Sequence, residues 1–293
     1  MRDQSRAFVY ALSAIGFWST MATAFKITLR YLTTIELLVF SSFFSLLFLL
    51  IILLIQGKMS DLWSASVSDY ARSAVLGLFN PYLYYVVLLA AYSRLLGQEA
   101  LVLNYVWPIV LVLLSAVFLR QPLTPKTLLA LLLSFLGVIL IATRGELRSM
   151  RFSDPLGIAM ALGSSVFWAL FWIFNVKDKR DEVVKICLNM FFGFVYSLIT
   201  LILTEGIRVP PLPGWLGTVY VGLFEMGLTF VLWLKALRLA RSAALISNLV
   251  FLAPFVSLLL LHLIVGERIY ASTFTGLILI VAGILLQRYR SGS

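Results

Sequence analysis

Ile35–Ile55 reads IELLVFSSFFSLLFLLIILLI, a run of Leu, Phe and Ile broken by three serines and carrying one charged residue, Glu36, at its edge. A strand of a membrane barrel alternates apolar and polar residues, and this stretch does not. At about 1.5 Å of rise per residue it is long enough, as a helix, to cross a hydrocarbon core roughly 30 Å thick. A bilayer offers no water to loose backbone groups, so an unbroken apolar segment there must close its hydrogen bonds within itself. The segment is therefore read as a transmembrane helix.

Working outward, similar stretches recur at 7–28, 71–92, 100–119, 126–143, 155–175, 183–204, 214–236, 243–265 and 271–287, which with 35–56 makes ten. The linkers between them are short. Apolar residues make up 61% of the 293 and charged residues 12%, and the mean hydropathy is +1.01; soluble domains carry about 25% charged residues. The expected class is an all-α integral membrane protein. Arg2 and Arg6 precede the first apolar run as in a signal peptide, but that run continues through Trp18 and Met21 to Thr28 without a small-residue cleavage site. It is read as a retained helix.

The net charge of +10 is a matter of placement. With ten crossings, 15 of the 23 basic residues fall at the termini and in the even-numbered loops, and 8 in the odd-numbered ones. By the positive-inside rule both termini face the cytoplasm, and a nucleic-acid partner is not expected. Cys187 is the sole cysteine and His262 the sole histidine, so no metal site, disulfide, cofactor or catalytic centre is expected. Neither a zinc-protease helix motif nor a Gly-x-Ser-x-Gly elbow is present. An enzyme is not the reading.

The chain also repeats itself. Gly77-Leu78-Phe79-Asn80 aligns with Gly222-Leu223-Phe224-Glu225 at an offset of 145, and Ala11-Leu12 with Phe17-Trp18 aligns with Ala161-Leu162 and Phe167-Trp168 at 150. At 146, Pro108 falls on Pro254, Thr127 on Thr273 and Gly137 on Gly283. Two repeats of five helices follow, 1–147 and 148–293. Because five is odd, the second enters the membrane from the opposite side, and ten helices form two inverted five-helix repeats. In such folds the substrate site lies near the midplane between the repeats.

Phe17-Trp18-Ser19-Thr20, the run Asn104-Tyr105-Val106-Trp107-Pro108, the Gly222 to Leu237 stretch and the closing Gly276 to Arg288 segment together resemble the drug/metabolite transporter superfamily, in particular its ten-helix EamA-type members. The resemblance spans the whole chain. It implies secondary transport of small metabolites, usually export of amino acids or toxic compounds across the bacterial inner membrane. The Asn104 to Pro108 run is similar to that of the aromatic amino acid exporter branch.

Polar groups inside a bilayer are costly and point to function. Of thirteen acidic residues, Glu225 alone lies deep, about eleven residues and roughly 16 Å into its helix. It is a proton-coupling or substrate-amine-binding candidate; a protonated Glu bonded to a neighbouring helix is the structural alternative. Asn80 precedes Pro81, whose missing N–H and ring free backbone carbonyls for a ligand or merely kink the helix. Asn104 and Asn248 sit at corresponding places in inverted helices, as a pair of gates should, or glue helices together. Trp18, Tyr82, Tyr85, Tyr105, Trp107, Trp168, Trp172 and Trp233 are the candidate aromatic lining, suited to amphipathic or cationic organic solutes through stacking and cation–π attraction. Lys26 and Lys235 lie near helix ends and are expected to snorkel.

The expected mechanism is alternating access around this cavity, with a passive channel as the alternative. The expected partners are a small-molecule substrate and the lipid bilayer. The fifth and tenth helices, nearly pure Leu, Ile and Gly, are read as scaffold or as the surface of a homodimer.

Overall fold

The computed structural model describes residues 2–118, 125–146, 153–176, 178–239 and 249–288, and among them there are helices and no strands. Six helices are long and apolar enough to cross a membrane: Gln4–Thr28, Thr34–Ile55, Val67–Arg94, Pro155–Asn175, Glu182–Thr204 and Leu212–Trp233. Leu132–Ala142, Ala253–Val265 and Ala271–Leu286 are shorter apolar helices. The protein is a multi-pass membrane protein.

In chain order the helices are α1 (Arg2–Thr28), α2 (Thr34–Ile55), the short α3 (Met59–Trp63), α4 (Val67–Gly77), α5 (Tyr84–Arg94), α6 (Gly97–Asn104), α7 (Trp107–Phe118), α8 (Pro125–Ala142), α9 (Pro155–Val176), α10 (Glu182–Thr204), α11 (Leu212–Val221), α12 (Leu228–Leu239), α13 (Ala253–Leu260) and α14 (Ala271–Arg288). Local chemistry sets the boundaries. Thr33 and Glu36 form a reciprocal capping box at the start of α2, Ser66 and Asp69 do the same for α4, and the Asp181 carboxylate caps α10. Gly266, at φ +79°, ends the turn after α13 in the left-handed region that glycine tolerates.

Two of the expected spans are broken in the middle. Between α4 and α5 the chain passes through a π turn, Leu78–Leu83, in which Asn80 is extended (φ −148°, ψ 122°) and the Asn80–Pro81 bond is cis. Between α11 and α12 it passes through a second π turn, Gly222–Gly227, which holds Glu225. The expected fourth span, 100–119, is likewise two pieces, α6 and α7, separated at Tyr105 and Val106.

Helices from the two ends of the chain interleave: α1 packs on α12, α2 on α10, α5 on α9 and α8 on α14. Two close approaches of glycine to backbone carbonyl form a matching pair. A Cβ on Gly77 would stand 2.4 Å from the Asn189 carbonyl of α10, and a Cβ on Gly222 would stand 2.4 Å from the Ser41 carbonyl of α2. The caps pair the same way. Thr33 donates to Glu205 at 2.6 Å, and Lys58 to Asp181 at 2.5 Å.

Candidate functional site

A cavity of about 350 Å³ opens between α1, α5, α6, α7, α9, the Glu225 turn and α12, with Val250 beside them. That volume is at the small end of the range for organic-ligand pockets, about 300–1,000 Å³. Its walls are aromatic. Trp18 and Trp233 meet with ring centroids 5.3 Å apart; Trp168 lies 4.8 Å from Tyr84, 5.8 Å from Trp172 and 6.4 Å from Trp107. The π turn that carries Glu225 widens the helix and points its side chain at these rings.

Glu225 is 7% exposed. Its Oε1 accepts from the Tyr85 hydroxyl at 2.9 Å, whereas Oε2 is buried with no hydrogen-bond partner among the described residues. The Trp168 indole N–H is likewise buried and unmatched. Buried polar atoms are nearly always paired in native structures; Glu225 and Trp168 both line the cavity and each carries one that is not. Asn104 is more fully used: its amide donates to Ser164 at 2.8 Å and its oxygen accepts from Tyr84 at 3.3 Å, tying α6 to α9 and α5.

Of the residues singled out from sequence, Trp18, Asn104, Tyr105, Trp107, Trp168, Trp172, Glu225 and Trp233 line this cavity. Tyr85 stands behind it as the donor to Glu225. Two expectations need correcting. Asn80 is buried away from the cavity, because the extended residue at the break turns it aside and Pro81 wedges against Gly193 of α10. Tyr82 faces α10, bonded to Thr200 at 2.7 Å and packed on Tyr196. Asn248 lies outside the described residues. Sequence reasoning missed Tyr84, Tyr92, Phe25 and Met21, which are also in the lining; the i, i+3, i+4, i+7 spacing of Trp18, Met21, Ala22 and Phe25 on one face of α1 was the available signal.

At the end of the cavity near Tyr92 and Leu101 lies a polar cluster. Glu99, 1% exposed, pairs with Arg144 at 2.6 Å and accepts from Ser153. The buried Glu267 carboxylate accepts from the backbone N–H groups of Gly97 and Gln98 at the start of α6, at 2.8 and 3.2 Å. The Lys26 ammonium donates to the Tyr92 and Leu95 carbonyls, both at 3.0 Å, at the end of α5. Gln98 ties to Arg268 and Tyr270. The His262 Nδ1–H donates to the Glu267 carbonyl at 3.0 Å, outside the cavity. No group of His, Cys, Asp and Glu suited to a metal occurs among the described residues.

The EamA-like transporter family model matches residues 5–143 and again 155–289. The chain belongs to that family and is a membrane transporter of small solutes, not an enzyme. It is 26% identical to an uncharacterized transporter of Archaeoglobus fulgidus over 281 residues, 93% of this chain and 95% of that one. It is also 26% identical to one of Clostridium kluyveri over 179 residues, 57% of this chain and 56% of that one. A solved crystal structure superposes with a TM-score of 0.68 at 22% identity, covering 97% of this chain and 96% of its own, which is a likeness of fold.

Proposed function

We propose that the protein is a secondary transporter, an exporter of small organic metabolites, which moves its cargo by alternating access around the Glu225 cavity. The observation that carries the reading is the Glu225 carboxyl: buried, half-satisfied by Tyr85, and set among five tryptophans. The unmatched Oε2 is completed by a proton or by a cargo donor, and the two cannot bind it together. That competition is the simplest way to couple export to a proton gradient.

The architecture proposed is ten helices in two inverted halves, 1–147 and 148–293. Two separate matches of one family model support it. So does the paired packing of Gly77 with Asn189 and Gly222 with Ser41, and of Thr33 with Glu205 and Asp181 with Lys58. In each case a group of one half meets the second helix of the other or its cap.

Alternating access requires one end of the cavity to be closed while the other is open. The Glu267–Gly97 and Ser153–Glu99 contacts are suited to that closure, since each ties one half to the other, and Arg144 braces Glu99 from within the first half. At the offset of 146, Glu99 falls on Leu245 and Glu267 on Gln121. Arg144 falls on Arg290, but neither acid of the seal has an acidic counterpart in the other half, which favours closure on the Glu99 side. The positive-inside balance assigns that side to the exterior of a bacterial inner membrane, with both termini cytoplasmic.

Reconstituted protein should show counterflow of a small amine or amino acid that is accelerated by an opposing proton gradient, and Glu225→Gln should abolish that acceleration. Transport by Glu225→Gln with an unchanged pH profile would overturn the coupling role.

A further inference from the structure

We infer that the cavity selects organic monocations, amines with an aromatic or alkyl body and no anionic group, over zwitterionic amino acids. The inference rests on the carrier reading for the cavity's role and adds the identity of its cargo.

Charge inventory is the first support. Among the described residues that line the cavity, Glu225 is the one acid, and there is no Lys, Arg or His. The nearest basic side chain along α1, Lys26, is held by the carbonyls of Tyr92 and Leu95. The positive end of α6 is already occupied by the Glu267 carboxylate. A cargo ammonium meets a countercharge in Glu225, a carboxyl with one oxygen still unpartnered. A cargo carboxylate meets neutral donors only, the indole N–H and tyrosine hydroxyl groups of the lining. Burying an ion without a countercharge is far more costly than burying it beside one.

The walls are the second support. Trp18, Trp233, Trp168, Trp172 and Tyr84 present ring surfaces around the carboxyl. Ring faces attract cations and repel anions, because the π quadrupole is negative there. A cation's body stacks and its charge is shared between rings and Glu225. A zwitterion gains the first benefit and loses it again at its carboxylate.

The test uses three solutes with one phenyl ring and three charges: phenethylamine, phenylalanine and 3-phenylpropionate. The full-length protein in nanodiscs is titrated with each under tryptophan-selective excitation, since five of its seven tryptophans line the cavity. Phenethylamine should bind at least about tenfold more tightly than either of the others, a difference readily resolved in such a titration. Glu225→Gln should erase that preference while leaving 3-phenylpropionate bound as well as before or better, and Glu225→Asp, which keeps the charge, should retain the order of affinities. Equal or tighter binding of phenylalanine or 3-phenylpropionate by the wild type would overturn the inference, as would a full preference surviving in Glu225→Gln. If Glu225→Gln does not fold, the wild-type and Glu225→Asp rankings decide the matter alone. Absence of binding by all three also overturns the cargo class; the carrier reading falls only if counterflow of a broad panel of solutes is flat as well.

Discussion

Alanine at Gly193 should destabilise the protein, whereas alanine at Gly163 should stabilise it slightly. At Gly193 the added Cβ falls 2.4 Å from both Cδ and Cγ of Pro81, with the Gly77 carbonyl at 3.1 Å. That is at least about 1 Å short of the roughly 3.5–4.0 Å separation at which carbon atoms attract. Neither neighbour can rotate aside: one is a ring locked to the backbone, the other is backbone. Helix α10 and the Leu78–Leu83 turn must therefore move apart. Overpacking of this kind costs about 1–3 kcal/mol, and the gain of about 0.5–1 kcal/mol from replacing a helical glycine offsets part of it, leaving a net loss of about 1–2 kcal/mol. Gly163, on α9, has nothing within 4 Å of the added Cβ, so only the gain remains. The pair should differ by about 2 kcal/mol in unfolding by SDS titration in mixed micelles, read by tryptophan fluorescence. Because the same turn leads into Tyr84 and Tyr85, Gly193→Ala should also lower transport while Gly163→Ala leaves it unchanged. Equal stability of the two variants would show that the close approach of Pro81 to α10 does not position this helix.

Tyr85→Phe removes the one donor to Glu225 among the described residues and should reduce stability by about 1–3 kcal/mol, the cost of a buried polar group left unmatched, and weaken cargo binding in parallel; unchanged binding would mean that Tyr85 does not orient the carboxyl. Arg144→Met opens the Glu99 end of the cavity, so a cysteine introduced at Leu101 should react faster with an impermeant thiol reagent in whole cells; an unaltered rate would remove this ion pair from the closure. Outside the membrane spans, burial pushes the Asp178 carboxyl up, but hydrogen bonds and charge from Arg180 outweigh it and hold the group below its ordinary value. A depressed carboxyl stabilises the fold above its unfolded pKa of about 4 and loses that contribution as pH falls through the folded value. Asp178→Asn should thus lower the melting temperature at neutral pH and flatten its fall below about pH 4; a variant that follows the wild-type curve would contradict this.

The helical membrane class was legible because runs such as Ile35–Ile55 admit no other solution in a bilayer. Glu225 and the tryptophans were legible for a related reason: desolvation makes a deep carboxyl or indole expensive, so each asks for a partner. What composition could not supply was direction. Asn80 and Tyr82 are neighbours of Tyr84 and Tyr85 in sequence, yet Tyr82 faces α10 and Asn80 is outside the lining, whereas Tyr84 lines the cavity with Tyr85 behind it. Pro81 signalled a kink, but no local rule says where the chain points after it. Glu99, Glu267 and Lys26 stand near helix ends in the sequence; each is bonded to a group about 45 to 170 residues away, which no local pattern reveals. The Gly222–Gly227 π turn left no local signature beyond its alignment with Gly77–Asn80.

Carriage through this cavity is tested most directly by the dependence of flux on solute from both sides. In proteoliposomes holding the wild-type protein, uptake of labelled phenethylamine should saturate with concentration and rise when unlabelled phenethylamine is placed in the lumen, and both features should be lost in Glu225→Gln. Uptake that stays linear in concentration and ignores the lumenal solute would mean an open pore, and would contradict alternating access around Glu225.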